Sequence, residues 1–195
     1  MALIYFDLGN VIIQNILASS DYLHSVYQVS RDTAQRFFKP LVHRFQKGEL
    51  SEERFWKECA HIGIRPNNVR NFWAENLKPA VIDNTVLAIA ERLRHAGHQT
   101  GILSNIIRPH ADMLRDRGIY QSFNPIILSC DVGTRKPEQK IFQIAAEEAQ
   151  TTFGQILFID DLQENVAAAR ALGIDSIQYT TSDKLTNDVQ MRGLL

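Results

Sequence analysis

The sequence predicts an α/β protein: a doubly wound parallel sheet that is interrupted, after its first strand, by an all-helical insertion. Short apolar runs at residues 2–6, 100–103, 125–128, 155–159 and 176–179 lack polar alternation, as strands covered on both faces do. From residue 83 onward, segments of helical length separate these runs, the pattern of a parallel sheet with crossover helices. Between about residues 18 and 80 helical spacing continues with no strand pattern. The expected division is a core of residues 1–14 and 83–195, with residues 15–82 as a helical cap.

The first strand, Ala2-Leu3-Ile4-Tyr5-Phe6, runs into Asp7-Leu8-Gly9-Asn10 and delivers a carboxylate to the sheet's carboxyl edge, where open α/β sheets bind ligands. Gly9 is expected to allow a sharp turn there. The strand pattern stops after Ile13. Apolar residues at three- and four-residue spacing then mark helices through 33–38 and 41–45. Gly48 breaks the run, and Ser51 is placed to cap a helix with the stripe Phe55, Trp56, Cys59 and Ile62. A further helix runs through Val69, Phe72 and Trp73.

Asp83 opens the next helix, whose inner face is Val86, Leu87, Ile89, Ala90 and Leu93 and whose end is Gly97. The strand at 100–103 leads to Ser104-Asn105, and Pro109 begins a helix to Gly118. After the strand at 125–128 comes a polar loop with Arg135-Lys136-Pro137, in which Pro137 suits the first position of a helix over 138–149. The run at 155–159 ends in Asp160-Asp161. A helix over 163–172 closes at Gly173, the last strand is 176–179, and the tail from Ser182 is a short helix.

Composition narrows the function classes. The chain has 195 residues, 45% hydrophobic and 22% charged, ordinary values for a soluble globular protein. A net charge of −1 gives no electrostatic footprint for nucleic acid or an anionic membrane, so no nucleic-acid or membrane partner is expected. No signal peptide or bilayer-length stretch is apparent. Cys59 and Cys130 lack zinc-site spacing and read as reduced thiols of a cytoplasmic protein. The oligomeric state is not legible.

Four strand ends thus carry polar groups: Asp7, Ser104, the loop with Lys136, and Asp160-Asp161. In a parallel sheet all four lie on one edge. Adjacent acids at a buried strand tip repel unless a cation sits beside them, and a divalent metal shared with Asp7 would relieve that cost. A carboxylate, a hydroxyl, a lysine and metal-binding acids are the equipment for phosphoryl transfer through an aspartyl-phosphate. Taken singly, Asp7, Ser104 or Asp160-Asp161 would serve equally as helix caps, and Lys136 as a solvated charge.

The order Asp7-Leu8-Gly9-Asn10, Leu103-Ser104-Asn105, Arg135-Lys136-Pro137-Glu138 and Ile159-Asp160-Asp161 resembles the four motifs of the haloacid dehalogenase superfamily of hydrolases, with a Rossmann-like core. The helical insertion resembles that family's C1-type cap. Phe6-Asp7-Leu8-Gly9-Asn10-Val11 and Lys47-Gly48-Glu49-Leu50-Ser51 further resemble a bacterial branch that includes an α-D-glucose-1-phosphate phosphatase.

The resemblance implies that Asp7 is the nucleophile and that Ser104, with the Asn105 amide beside it, binds a phosphoryl oxygen. It implies that Lys136 steadies nucleophile and phosphoryl group, and that Gly9 and Asn10 belong to the phosphate-binding turn. It implies Mg²⁺ held by Asp7, the Gly9 carbonyl and Asp161, with Asp160 behind them and Asn165 orienting Asp161. The expected partner is a small phosphorylated metabolite, such as a hexose 1-phosphate.

Gly9 departs from the pattern, because most phosphatases of the superfamily carry a second aspartate there to protonate the leaving group. Its loss costs about a hundred- to ten-thousand-fold in rate. Either the leaving group is a good one, or a cap residue such as His43, His24 or Glu49 supplies the proton, or the enzyme is slow. A metal-independent 2-haloacid dehalogenase is the competing enzyme reading, although it has no use for paired acids at the fourth motif. A non-catalytic module binding a sugar phosphate or a protein is the reading from another class.

Overall fold

The computed structural model describes residues 1–16, 18–61, 63–65 and 69–195, with backbone alone at 69–71. Ile62 and the Val69 side chain therefore lie outside the described residues. The strands are β1 (Leu3–Phe6), β2 (Ile13–Gln14), β3 (Val81–Ile82), β4 (Gln99–Ser104), β5 (Ile126–Leu128), β6 (Ile156–Asp160) and β7 (Asp175–Gln178). Five form one sheet in the order β5-β4-β1-β6-β7, and every pairing in it is parallel. The chain moves outward from β1 to β5, then returns to β1's other side at β6. The crevice at that reversal is the binding position of doubly wound sheets.

The helices are α1 (Ser19–Tyr27), α2 (Arg31–Thr33), α3 (Lys39–Gln46), α4 (Glu52–His61), α5 (Val69–Leu77), α6 (Asn84–His95), α7 (Arg108–Asp116), α8 (Ser129–Val132), α9 (Gln139–Glu148), α10 (Gln163–Ala171) and α11 (Ser182–Met191). Alternation along β1 assigns its two faces. Ile4 and Phe6 pack with Val86, Ile89, Leu93, Ala111, Leu114, Leu185 and Val189 from α6, α7 and α11. Leu3 and Tyr5 pack with Ile141, Phe142, Ala145 and Ala169 from α9 and α10. Both faces of β1 are covered, which is why its sequence is apolar throughout.

The insertion, α1 to α5, builds a separate apolar cluster in which Tyr22, Phe38, Phe45, Phe55, Phe72 and Trp73 are buried. Among the described residues no helix is long and apolar enough to cross a membrane.

Several local expectations need correction. The first strand ends at Phe6, not Ile13; after a turn over 7–12, residues 13–14 form a separate short strand that pairs antiparallel with β3, Ile13 opposite Ile82, where the chain enters and leaves the insertion. Two-residue strands are too short to show periodicity. The loop after β5 contains one helical turn, α8, closed by Gly133 at φ 73°. Pro137 lies before α9 rather than inside it, because Glu138 is extended (ψ 131°) and caps the helix that starts at Gln139. The caps at Asp83, which accepts from the Thr85 and Val86 amides, and at Ser51, which accepts from Arg54 N–H at 3.2 Å, form as expected.

Candidate active site

Strand register places the site. Phe6 pairs with Ile102 and Ile159, so Asp7 stands one residue beyond its neighbours' paired positions, its N–H donating to Ile159 O at 2.9 Å. β4 ends at Ser104 and β6 at Asp160, on either side of it. All of these are buried.

Lys136 reaches the same point from the loop before α9 and is fully buried. Its Nζ lies 2.6 Å from Asp160 Oδ2 and 2.9 Å from Asp7 Oδ1, and it donates to Leu103 O at 2.7 Å. Its ammonium also sits 5.2 Å from the centre of the Phe158 ring. Burial works against its charge, but the two carboxylates outweigh it and hold the lysine above its ordinary pKa. Asn105 fixes the loop by gripping the Lys136 backbone twice: its Nδ2 donates to Lys136 O, and its Oδ1 accepts from Lys136 N–H, both at 2.8 Å.

Asp160 and Asp161 differ sharply although adjacent. Asp160 Oδ1 accepts from Leu162 N–H (2.8 Å) and Asn165 Nδ2 (3.0 Å), and its Oδ2 from Lys136 and Asn165 Nδ2 (3.1 Å). Asp161 is only partly buried, and its Oδ2 accepts from Asn10 Nδ2 at 2.9 Å. Asn165 was expected to orient Asp161 and instead bonds Asp160. It lies on the first turn of α10, facing inward, and Asp160 is the inward-facing acid.

Burial, chiefly, pushes Asp7 up to about 6, with Lys136 opposing the shift and Asp160 adding to it. Ser104, buried at the end of β4, also works to lower it. Asp161 is raised for the same first reason, burial, with Asp160 contributing. One oxygen from each of Asp7, Asp160 and Asp161 lies within 4.8 Å of the others. Three carboxylates facing one ammonium leave two excess negative charges. The donor set, all hard oxygen, fits a divalent cation such as Mg²⁺.

Gly9 is not required sterically. A Cβ there would meet nothing closer than Asp7 Oδ2 at 4.0 Å, and the left-handed residue of the turn is Asn10, at φ 53°. The turn closes through Asn10 N–H to Ile13 O and Ile13 N–H to Leu8 O, both 2.8 Å.

A cavity of about 610 Å³ opens between the sheet edge and the helical insertion, lined by Gly9, Ser104, Asn105 and Arg135 below and by Gln35, Lys39, His43 and Gln46 above. Of the three candidate proton donors, only His43 reaches it. Burial, reinforced by Arg135, Lys39 and Lys47, lowers His43 to about 4, so it is neutral near pH 7. His24 bonds Val29 O at 2.7 Å, and Glu49 pairs with Lys47 at 2.7 Å, both away from the cavity. Gln35, Lys39 and Gln46 were not singled out from sequence. Their three- and four-residue spacing with His43 is the signal that could have found them.

Fold and acidic cluster define the class: an α/β enzyme with an acidic cluster at the carboxyl edge of its sheet. The chain belongs to the haloacid dehalogenase-like hydrolases, whose family model matches residues 1–173. It is similar to the sesquiterpene phosphatase astK of Aspergillus oryzae, 23% identical over 154 residues that cover 78% of each chain. It is also similar to mouse acyl-CoA dehydrogenase family member 10, 25% identical over 156 residues. That match covers 75% of this chain but only 14% of the mouse protein. Among solved structures, a HAD family enzyme of Bacteroides thetaiotaomicron in complex with magnesium and inorganic phosphate shares the fold. Its TM-score is 0.77 at 21% identity, covering 92% of this chain and 94% of that one.

Proposed function

We propose that the protein is a Mg²⁺-dependent phosphomonoesterase that acts through an aspartyl-phosphate at Asp7 on a small phosphorylated metabolite, with a hexose 1-phosphate as the leading candidate. The supporting observation is the buried cluster of three carboxylates around one lysine at the edge of β1, β4 and β6. With Asp7 Oδ1 paired to Lys136, Oδ2 is the oxygen free to attack phosphorus. The bond between phosphorus and the leaving alkoxide breaks as the acyl-phosphate bond forms. Water then cleaves that intermediate, releasing phosphate and regenerating Asp7.

Ser104 and the Asn105 amide hold phosphoryl oxygens, the Gly9-Asn10 turn flanks them, and Lys136 offsets charge on Asp7 as it reacts. Mg²⁺ would be held by Asp7, the Gly9 carbonyl and Asp161, with Asp160 behind, and would neutralise developing phosphoryl charge. Saturation of both Asp160 oxygens supports its place behind Asp161.

No acid stands at Gly9, and neutral His43 is a weak proton donor. A leaving group that departs without a strong acid is therefore favoured, such as an anomeric sugar oxygen, in keeping with the glucose-1-phosphate branch that the Phe6–Val11 and 47–51 segments resemble. Residues 15–82 act as the cap and residues 1–14 with 83–195 as the core. The buried free thiols of Cys59 and Cys130 suit a reducing compartment, the cytoplasm.

Hydrolysis of p-nitrophenyl phosphate with Mg²⁺ and with EDTA tests this. Mg²⁺-dependent phosphate release, and trapping of fluoroberyllate on wild type but not on Asp7→Asn, are expected. Metal-independent halide release from 2-chloropropionate would replace the reading with a dehalogenase. A folded protein that does neither would be a binding module.

A further inference from the structure

The upper wall of the cavity has a composition that helix packing does not explain. Gln35, Lys39, His43 and Gln46 all line it. Offsets of four, four and three residues put them on one helical face. The opposite face, Phe38, Val42 and Phe45, is buried in the aromatic cluster of the insertion. Gln35 and Lys39 are exposed and His43 and Gln46 half-buried, and all four border the cavity opposite the sheet edge.

Its side chains are also free to bind something. Among the described residues, Gln35, Lys39 and His43 have no hydrogen-bond or ion-pair partner within the chain, and Gln46 accepts only from Arg135 Nε, at 3.2 Å. Arg135 precedes Lys136, so the face is tied to the loop that carries the buried lysine. Gln35 lies in a π-helical turn, Ala34–Phe38, that joins α2 to α3; such turns are frequent at functional sites.

We propose that this face is the specificity-determining surface of the enzyme, and that Gln35, Lys39, His43 and Gln46 read the hydroxyl groups of a sugar-like leaving group. The inference rests on the phosphomonoesterase reading and deepens it. Two amides, an ammonium and an imidazole supply several donors and acceptors in a row, matched to a ring carrying several hydroxyls. His43, kept neutral by burial and by its cationic neighbours, offers one nitrogen as donor and the other as acceptor. The acids that border the cavity, Asp21 and Glu164, do not alter this. Asp21 lies 3.6 Å from Arg31, and Glu164 is exposed within the field of Arg135. A prenyl chain would offer no partner to the half-buried His43, which disfavours it.

The test compares kcat/KM for a panel of hexose and pentose phosphates, farnesyl phosphate and p-nitrophenyl phosphate, in wild type and in Gln35→Leu, His43→Leu, His43→Gln and Gln46→Leu. Each leucine variant is expected to lower the sugar phosphate to p-nitrophenyl phosphate ratio by about 3- to 10-fold, mainly through KM, with His43→Gln recovering part of the loss. In Asp7→Asn, calorimetric binding of the preferred sugar phosphate should weaken by the same factor when a leucine is added. Ratios unchanged within twofold in all three leucine variants would overturn the inference. So would a preference for farnesyl phosphate, or p-nitrophenyl phosphate hydrolysis with no sugar phosphate turned over or bound. No ester hydrolysed at all would instead overturn the phosphomonoesterase reading and this inference with it.

Discussion

The sheet edge and the helical insertion hold their residues in place by opposite means. At the edge, charged side chains are buried and each is held at fixed length. Lys136 touches Asp7, Asp160 and Leu103 O between 2.6 and 2.9 Å, and both oxygens of Asp160 are occupied. In the insertion, rings lean on rings: Phe72 lies 4.8 to 6.3 Å from Trp73, Trp56, Tyr22, Tyr27 and Phe38, mostly edge to face. Hydrogen bonds are directional and depend steeply on distance, whereas dispersion between rings is broad and shared. The edge therefore fixes single atoms, and the insertion fixes a surface above it.

The largest expected effect breaks the edge. Asp7→Asn should lower hydrolysis of phosphate esters by about four orders of magnitude or more, while its melting temperature in metal-free buffer at pH 8 stays at or above that of wild type. That sign follows from Asp7, whose burial raises its pKa to about 6, so ionising it costs folded-state stability above that pH. Lys136→Met should behave oppositely in urea denaturation, losing about 3–5 kcal/mol because two buried carboxylates lose the ammonium they share. If both variants lose stability equally, the cluster is not organised around the lysine.

Much of the edge was legible in sequence because its determinants are local: an apolar run sets a strand, and the residue after it lies at the carboxyl end. Asp7, Ser104, the loop with Lys136 and Asp160-Asp161 came from that rule, and the resemblance to the family's motif order supplied the roles expected of them. What the rule lacks is direction. It could not say that Asp160 turns inward to Asn165 while Asp161 turns toward Asn10, since that depends on how α10 packs. Nor could it show that the backbone at Gly9 would accept a side chain, a fact of neighbouring atoms. In the insertion, the stripe of Phe55 and Cys59 revealed a buried face, but the polar face of α3 was overlooked because exposed polar residues usually mean solvent.

Phe72→Ala tests whether the insertion's stability is its own. The buried ring should cost about 3–5 kcal/mol, read by hydrogen exchange as lost protection in α1, α3 and α4 while β1, β4 and β6 keep theirs. Loss across the sheet would mean the two regions unfold as one.

His110 is a tie between them. It sits on α7, is buried, and its Nε2 lies 3.0 Å from Trp73 O, so that nitrogen must carry the proton. Burial chiefly lowers its pKa from 6.5 to about 4. The unfolded chain then takes up a proton before the folded one does. Stability contributed above pH 6.5 is lost as the pH falls toward 4, by up to about 3 kcal/mol. Urea denaturation of wild type and His110→Gln at pH 7 and pH 4.5 should show that limb flattened in the variant. Parallel curves would remove His110 as its source.

The smallest effect is expected at the seam itself. Gly48, between α3 and α4, has φ 68°, and a Cβ there would stand 2.9 Å from Cys130 O on α8, a backbone atom that cannot swing aside. Close by, Lys47 lies 3.7 Å from Glu138 and Gln46 accepts from Arg135, so the end of α3 is seated on the loop that carries Lys136. Gly48→Ala should cost about 1–2 kcal/mol for the left-handed backbone. Its clash should lift this end of α3 away from α8. If α3 is the face that reads the leaving group, the lift should raise KM for the preferred ester more than it lowers kcat, because Asp7, Ser104 and Asp160 are held by sheet register and not by the seam. A fall in kcat alone would mean that Arg135 transmits the strain to Lys136, and that the insertion helps set the geometry of the edge as well as the surface above it.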